Sequence, residues 1–590
     1  MAEFLAHNLA PIMFASLVVF LLLGYPVAFS LAACGLFYFF IGVELAPLSH
    51  GTITLDWPLL QALPERIYGV MNNEVLLAVP FFTFMGLILE RSGMAEDLLD
   101  TIGQLFGTAR GGLAYAVVFV GALLAATTGV VAASVISMGL ISLPIMLRYG
   151  YDRRLASGVI AASGTLAQII PPSLVLIVLA DQLSTDVGSM YEGAFVPGIV
   201  LAGLYAGWIF LRSMISPDAA PGLPVEAIGY REESGRRGLI SLAILTVVSG
   251  LVGYAALRET NVKNGADFVI LAMSVGVAFS FAVAVVNWLL YKLVGYRFLS
   301  KLAQQVTFVM VPPLALIFLV LGTIFIGVAT PTEGGAMGAT GALILAAFKR
   351  ILDRNPARFN WSIVLQATES TAKLSAFVIF ILIGARIFSL SFYGVNGHVW
   401  VEDHLRSLPG GLYGFLLIVN FAVFLLAFFL DFFEIAFIVI PLLKPAVEYL
   451  FTHDLQALEI AKSFNLDISS PEDVTKAMMV WFGVMLGVNM QTSFMHPPFG
   501  FALFYLRSVA PRNRYVDRVT GKWIEGVSTG QIYWGAIPFV VIQCFMVALV
   551  MLVPAMVITK KPERQAIDPT KIELNLPKIE MPSLNLPGQQ

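Results

Sequence analysis

Two apolar stretches of the chain each carry a pair of adjacent prolines, GTLAQIIPPSLVLIVLA at 164–180 and NMQTSFMHPPFGFALFYL at 489–506. A proline removes a backbone donor and clashes with the carbonyl one turn back, so two in a row are expected to end a helix. The freed carbonyls then need protein, water or an ion as partner. Ser163, Gly164 and Thr165 precede the first pair, and Asn489, Gln491, Thr492 and Ser493 precede the second. Carbonyl, hydroxyl and amide oxygens together suit a hard cation, which is how broken helices hold coupling ions. The plainer alternative is a proline kink packed against a neighbour. Two copies, both flanked by polar residues, favour the ion site.

Upstream of each pair lies a second irregular stretch, AATTGVVAAS (125–134) aligning with FLDFFEIAF (429–437). Thr127, Thr128 and Gly129 would cap a break in the first, although threonines also bond back to a helix carbonyl at little cost. Asp431 and Glu434 in the second are carboxylates within an apolar segment, expensive there unless functional or placed at a helix end. In GVATPTEGGAMGATG (327–341), Thr330 is a candidate cap, Pro331 a helix start and Glu333 a first-turn carboxylate complementing the helix dipole. His496 lies within an apolar segment and raises proton coupling or metal binding, but no cluster of metal-binding residues surrounds it. No GxxxxGK[ST] motif for ATP occurs, so energy is expected to come from an ion gradient or from nowhere. An intramembrane hydrolase would need Asp431, Glu434 and His496 to converge in one pocket, and each already has a plainer explanation; no enzyme and no cofactor is expected.

The elements that must position these residues are membrane helices. The sequence is 58% hydrophobic and 12% charged, about half the roughly 25% charge of a soluble domain. Long apolar runs recur throughout, for example 11–23, 114–127, 198–211, 239–257, 268–290 and 534–553, and the last three reach the roughly 20 residues that a membrane-spanning helix needs. Runs such as LAGLYAGWIF do not alternate, which excludes a transmembrane β-barrel. The fold class is therefore an all-α polytopic membrane protein. Cys34 and Cys544 are too far apart in sequence to suggest a disulfide framework or metal cluster. The first apolar segment lacks a basic leader and a small-residue cleavage site, and reads as the first membrane helix. A net charge of −3 points to no partner, and no basic patch suggests nucleic acid.

A long, weak repeat organises the chain. The first copy gives FFTFMGLILERSG, ARGGLAYAVVFVGALLAATTG, the loop LRYGYDRR and then the first proline pair; the second gives AFVIFILIGARIF, LPGGLYGFLLIVNFAVFLLAFFLDFFE, a longer polar loop and the second pair. The first loop holds Arg148, Arg153 and Arg154, whereas 451–473 is acidic, with Asp454, Glu459, Asp467, Glu472 and Asp473 against Lys462. Basic loops stay in the cytoplasm, so the copies are expected to be inverted, a signature of secondary transporters with sites at the repeat interface. The predicted organisation is a first repeat (1–190), a connecting helix plus inserted module with two extra membrane helices (191–311), a second repeat (312–511), a C-terminal membrane helix (512–559) and a disordered tail (560–590).

With these residues in view, the chain resembles the large membrane subunit of tripartite ATP-independent periplasmic (TRAP) transporters. The matching stretches are GALLAATTGVVAAS, MLRYGYDRRLASGVIAASGTLAQIIPPS, GAFVPGIVLAGL, GVATPTEGGAMGATGAL and FLDFFEIAFIVIPLLKPAV, in both repeats. The resemblance implies an inverted-repeat elevator with helical hairpins and broken helices, importing an organic acid (a carboxylate) with sodium across the bacterial inner membrane. It implies two partners, a small membrane subunit and a periplasmic binding protein. Carried onto this chain, one sodium site uses Thr127, Thr128, Gly129, Ser163, Gly164, Thr165 and Pro171, and the other Ser493, His496 and the Phe499 carbonyl. Ser173, Asn489, Gln491 and Thr492 become candidate substrate contacts. The family's second motif usually reads TPPVG, whereas HPPFG stands here, and its ATSGSS is ATTGVV. The missing hydroxyls open an altered ion stoichiometry or partial proton coupling. The insertion marks a larger variant, with a possible role in place of small-subunit contacts. The alternative function is a stand-alone sodium- or proton-coupled anion transporter of the wider elevator class.

Overall fold

The computed structural model describes residues 2–128, 131–227, 229, 238–258, 266–406, 408–497, 500–517 and 519–559. Gly129, Phe499 and the 560–590 tail lie outside the described residues, as do the side chains of Thr127 and Thr128. After a short helix at Ala2–His7, the first part of the chain holds α1 (Leu9–Leu22), α2 (Val27–Leu45), α3 (Ala78–Arg91) and α4 (Met94–Phe106), with a further short helix at Leu63–Met71 between α2 and α3. A hairpin of α5 (Gly112–Thr128) and α6 (Val131–Arg148) leads to α7 (Arg153–Thr165), α8 (Leu174–Leu183) and the long α9 (Val187–Ile215). Then come α10 (Leu239–Leu257), α11 (Ala266–Val294), α12 (Lys301–Phe325), α13 (Pro331–Asp353) and α14 (Trp361–Gly394). The order of hairpin followed by interrupted helix recurs in α15 (Gly411–Leu426) with α16 (Ile440–His453), and in α17 (Pro471–Met490) with α18 (Phe501–Val509). A two-stranded ribbon, β1 (Tyr515–Val516) and β2 (Trp523–Ile524), precedes α19 (Thr529–Leu552).

Ten helices among the described residues are long and apolar enough to cross a membrane, so the protein is a multi-pass, all-α membrane protein. Local chemistry sets where the helices begin. Asp152, Ser173, Ser300 and Ser470 each accept a hydrogen bond from a backbone N–H in the first turn that follows. Thr330 and Glu333 form a reciprocal capping box at the start of α13, with Pro331 inside it. That bonding occupies the Glu333 carboxylate at an exposed helix start.

Packing divides the helices into two groups. In one, α2 lies along α14, α14 along α3, and α3 along α13. A Cβ at Gly384 of α14 would sit 2.4 Å from the Ala28 carbonyl oxygen of α2, so only glycine allows the two backbones to approach this closely. In the other group, α7 packs on α5, α6, α18 and α19, while α17 packs on α8, α15, α16 and α19. The first half of each interrupted helix therefore touches the second half of the other, which brings the two breaks into one bundle. The inserted helices α10 and α11 pack on each other and on α12, around a small core of Leu245, Ala284 and Leu299.

Candidate functional site

The first break follows from its residues. After α7, a 3-10 turn covers Leu166–Gln168, and the chain passes Pro171 and Pro172 before Ser173 caps α8. Ser173 is fully engaged, because its hydroxyl donates to the Gln168 carbonyl at 2.5 Å and accepts from the Leu176 N–H at 3.4 Å. Thr165 donates to the Ala162 carbonyl at 2.8 Å, and its oxygen accepts from Nε2 of Gln543 at 3.4 Å. Gln543, on α19, also donates to the Tyr205 hydroxyl at 2.9 Å. A hydroxyl that donates to the carbonyl three residues back keeps oxygen lone pairs for a cation or another donor. Ser163 Oγ and both amide atoms of Gln168 are buried without a protein partner. The α5–α6 hairpin closes over these groups: a Cβ at Gly121 would lie 2.6 Å from Ser163 Cβ, and one at Gly164 would lie 2.3 Å from Val135.

The second break repeats the construction. A 3-10 turn covers Gln491–Phe494 after α17. Thr492 donates to the Asn489 carbonyl at 2.7 Å and Ser493 to the Met490 carbonyl at 2.8 Å, the same pattern as Thr165. Asn489 donates to both the backbone carbonyl and the side-chain oxygen of Asn420 on α15, at 2.7 and 3.0 Å. Gln491 is fully buried with both amide atoms unpartnered. The His496 ring stacks on Phe428 at 4.0 Å and meets the edge of Phe424 at 4.5 Å, with neither ring nitrogen hydrogen-bonded.

Asp431 and Glu434 lie at the tip of the second hairpin, where they make a capping box over Phe432–Glu434. The Glu434 N–H donates to Asp431 at 2.8 Å and the Asp431 N–H to Glu434 at 2.9 Å. A π-helical turn, Ile435–Val439, follows before α16. Such irregular turns cluster at functional sites.

A cavity of about 910 Å³ lies between the two helix groups. Its walls come from the α1–α2 turn, from α14, from Val131 and Ala132 beside the first hairpin tip, and from 429–434 at the second. Gln168, Leu174 and Val175 contribute from the first interrupted helix, and Phe494, Phe501 and Tyr505 from the second. Asp431 and Glu434 line this space, whereas Ser173, Asn489, Gln491, Thr492 and His496 are buried outside its lining. The three groups of a hydrolase therefore do not share the cavity. Gln168, Gln543, Tyr205 and Asn420 belong to the site without having been singled out in the sequence. Only Gln168 carried a signal there, as the nearest polar residue before the first proline pair.

At the far end of α6, Arg148 binds Asp517 of the ribbon loop through three hydrogen bonds of 3.0–3.1 Å. The Thr520 hydroxyl, followed by Arg148, holds the Asp517 carboxyl down to about 2. This contact ties the base of the first hairpin to the segment joining α18 and α19.

The family model for the DctM component of tripartite ATP-independent periplasmic transporters matches residues 14–556. The chain belongs to this family, one of transport permeases rather than enzymes. It is 30% identical over 201 residues to the C4-dicarboxylate TRAP transporter large permease protein DctM of Pseudomonas aeruginosa, a match covering 34% of this chain and 47% of that one. To the protein of the same description from Rhodobacter capsulatus it is 25% identical over 515 residues, covering 84% and 89%. To the isethionate TRAP transporter permease protein DctMQ of Oleidesulfovibrio alaskensis it is 23% identical over 504 residues, covering 85% of this chain and 60% of that one.

Proposed function

We propose that this large permease subunit imports an organic acid across the bacterial inner membrane, driven by sodium, after capture by a periplasmic binding protein and together with a small membrane subunit. The observation that carries the reading is the pair of buried helix breaks, packed half against half, beside a cavity to which both contribute. One sodium site would form from Thr127, Thr128, Gly129, Ser163, Gly164, Thr165 and Pro171, and a second around Ser493, His496 and Phe499. The hydroxyl geometry at Thr165 and Ser493 supports this, because each donates to a carbonyl three residues back and retains lone pairs for an ion. The cavity between the helix groups is the proposed substrate site, and the bundle with both breaks is the part that moves as an elevator. The decisive measurement is uptake in proteoliposomes containing the chain with its two partners. Uptake that follows an inward sodium gradient and stops without the binding protein is expected; uptake indifferent to both would overturn the proposal.

A further inference from the structure

The ribbon between α18 and α19 has two unlike faces. Side chains alternate across a strand, and Tyr515 is paired with Ile524 and Val516 with Trp523. Half-buried Tyr515 and Ile524 and buried Asp517 turn toward the body of the protein, where Asp517 holds Arg148 at the base of the first hairpin. Val516 and Trp523 share the other face, 46% and 61% exposed, and Val519 in the turn is 72% exposed. A paired tryptophan and valine, with a third apolar side chain at the turn, form an apolar edge rather than a scattered surface residue.

Positive charge surrounds this edge. Residues 507–525 hold five basic side chains, Arg507, Arg512, Arg514, Arg518 and Lys522, against Asp517 and Glu525. Both acids are engaged, Asp517 by Arg148 and Glu525 by Arg514 at 3.4 Å. Arg514 also lies over the Trp523 ring, 5.2 Å from its centroid. Arg512 and Lys522 are exposed, and Arg518 lies outside the described residues.

The level of the membrane follows from α19. Its exposed large residues, Trp534, Ile537, Val541, Phe545 and Leu552, recur at helical spacing and form the stripe that faces lipid. Trp534 is the first of them, about 7.5 Å along the axis from the helix start at Thr529. Tryptophan favours the boundary between hydrocarbon and headgroups, and the headgroup layer is about 5–8 Å deep. The start of α19, and the ribbon that leads into it, therefore stand at headgroup level. The adjoining loop with Arg148, Arg153 and Arg154 has the composition of a cytoplasmic loop, and the cytoplasmic leaflet carries the negative surface potential.

We propose that the 512–525 ribbon docks on an anionic membrane surface, with Trp523, Val516 and Val519 entering the headgroup layer and Arg512 and Lys522 meeting the phosphates of acidic lipids. The occupant is lipid rather than protein because one edge combines an interfacial aromatic, basic side chains and the level of a helix start at the bilayer boundary. Through Asp517 and Arg148 the contact reaches the base of the first hairpin.

The test reads the depth of a nitroxide attached at Val519→Cys in the full chain, reconstituted in nanodiscs of phosphatidylcholine with or without phosphatidylglycerol. The parent, labelled in the same way, supplies the background from Cys34 and Cys544. Relaxation by oxygen, which concentrates in the bilayer, is compared with relaxation by a water-soluble nickel chelate. With phosphatidylglycerol the label is expected to be shielded from nickel and open to oxygen; with phosphatidylcholine alone it should stay in water. One basic side chain near an anionic surface is worth about fivefold. Arg512→Gln combined with Lys522→Gln should therefore lower the ratio of inserted to water-exposed label roughly thirtyfold, and concentrated salt should act in the same direction. Both side chains are exposed, so this variant should melt with the parent. Trp523→Ser should bring the label closer to water in the same discs. A nickel-accessible label in the presence of phosphatidylglycerol, or equal depth in the two lipids, would overturn the proposal. So would a depth unmoved by the glutamine substitutions or by Trp523→Ser. A label shielded from nickel and oxygen alike would show protein covering the ribbon and would overturn it as well.

Discussion

Gly121→Ala probes how tightly the first hairpin is closed over the first break. The added Cβ would meet Ser163 Cβ at 2.6 Å and the Ser163 carbonyl oxygen at 3.0 Å. Carbon atoms prefer about 3.5–4.0 Å, so α5 and the end of α7 must part by about 1 Å. Overpacking of this kind costs about 1–3 kcal/mol. If about 1.4 kcal/mol of that strain falls on the ion-bound arrangement, half-saturation by sodium rises about tenfold. Ser163→Gly removes the nearer of the two contacts and leaves the carbonyl. In that background Gly121→Ala should therefore cost less, with a coupling of about 1 kcal/mol between the two sites. Sodium titrations of uptake, with apparent melting measured at one scan rate, read both effects in a four-variant cycle. Strictly additive costs, or a sodium titration unmoved by Gly121→Ala in a protein that melts at lower temperature, would refute the proposed link between hairpin closure and ion binding.

Other perturbations separate other parts of the site. Gln543→Leu leaves the buried Tyr205 hydroxyl and Thr165 without their shared donor; a loss of about 1–3 kcal/mol in stability is expected, together with weaker sodium dependence, both readable in the same assays. Asp431→Ala removes a cap and should cost about 0.5–2 kcal/mol, whereas Asp431→Asn keeps an acceptor and should melt close to the parent; equal melting of the two variants would show the capping box to be idle. Asp517 has a native value lowered to about 2, so its contribution is fully present above the unfolded value of about 3.9 and is lost as pH falls through the native one. Asp517→Asn should accordingly melt below the parent at neutral pH, with the gap beginning to narrow only below about pH 4.

How much of this was legible in the sequence depended on how local the cause was. Both breaks could be placed from GTLAQIIPPS and SFMHPPFG, and the Thr330 cap with Glu333 in the first turn from local sequence, but a proline pair alone did not decide a break: Pro312 and Pro313 lie inside the continuous α12, and the polar residues beside the other two pairs were the distinguishing signal. The class of the protein followed from composition. The partners of the buried polar groups did not follow, because Thr165 and Gln543 are 378 residues apart and Asn420 and Asn489 are 69 apart. No short motif marks such pairs. The cavity was hidden for the same reason: its aromatic wall is assembled from α14, the second hairpin tip and α18, none of which looks unusual alone. Asp431 and Glu434 stood out as costly charges, but only the structure shows that they cap one another's turn and line the cavity as well.

The two breaks differ most at His496, and the difference can be settled by one substitution. With the proline pairs aligned, His496 corresponds to Ile170, an apolar residue packed against α9 at Gly198. The His496 ring likewise fills a gap, parallel to Phe428 and edge-on to Phe424. Neither nitrogen makes a hydrogen bond of good geometry, although the Ala427 backbone lies beside the ring, and a buried polar atom without a partner costs about 1–3 kcal/mol. Ring stacking returns about 0.5–1.5 kcal/mol per aromatic pair. Phenylalanine would keep the stacking without the unpartnered nitrogens, so a ring that only packs predisposes His496→Phe to melt at or above the parent and to keep its sodium-driven uptake. An ion or proton on the ring would instead supply the missing partner, and His496→Phe would then fold normally while losing sodium coupling or the pH dependence of uptake. The packing account fails on that result, because a space-filling role has no means of changing the coupling ion while leaving the fold intact.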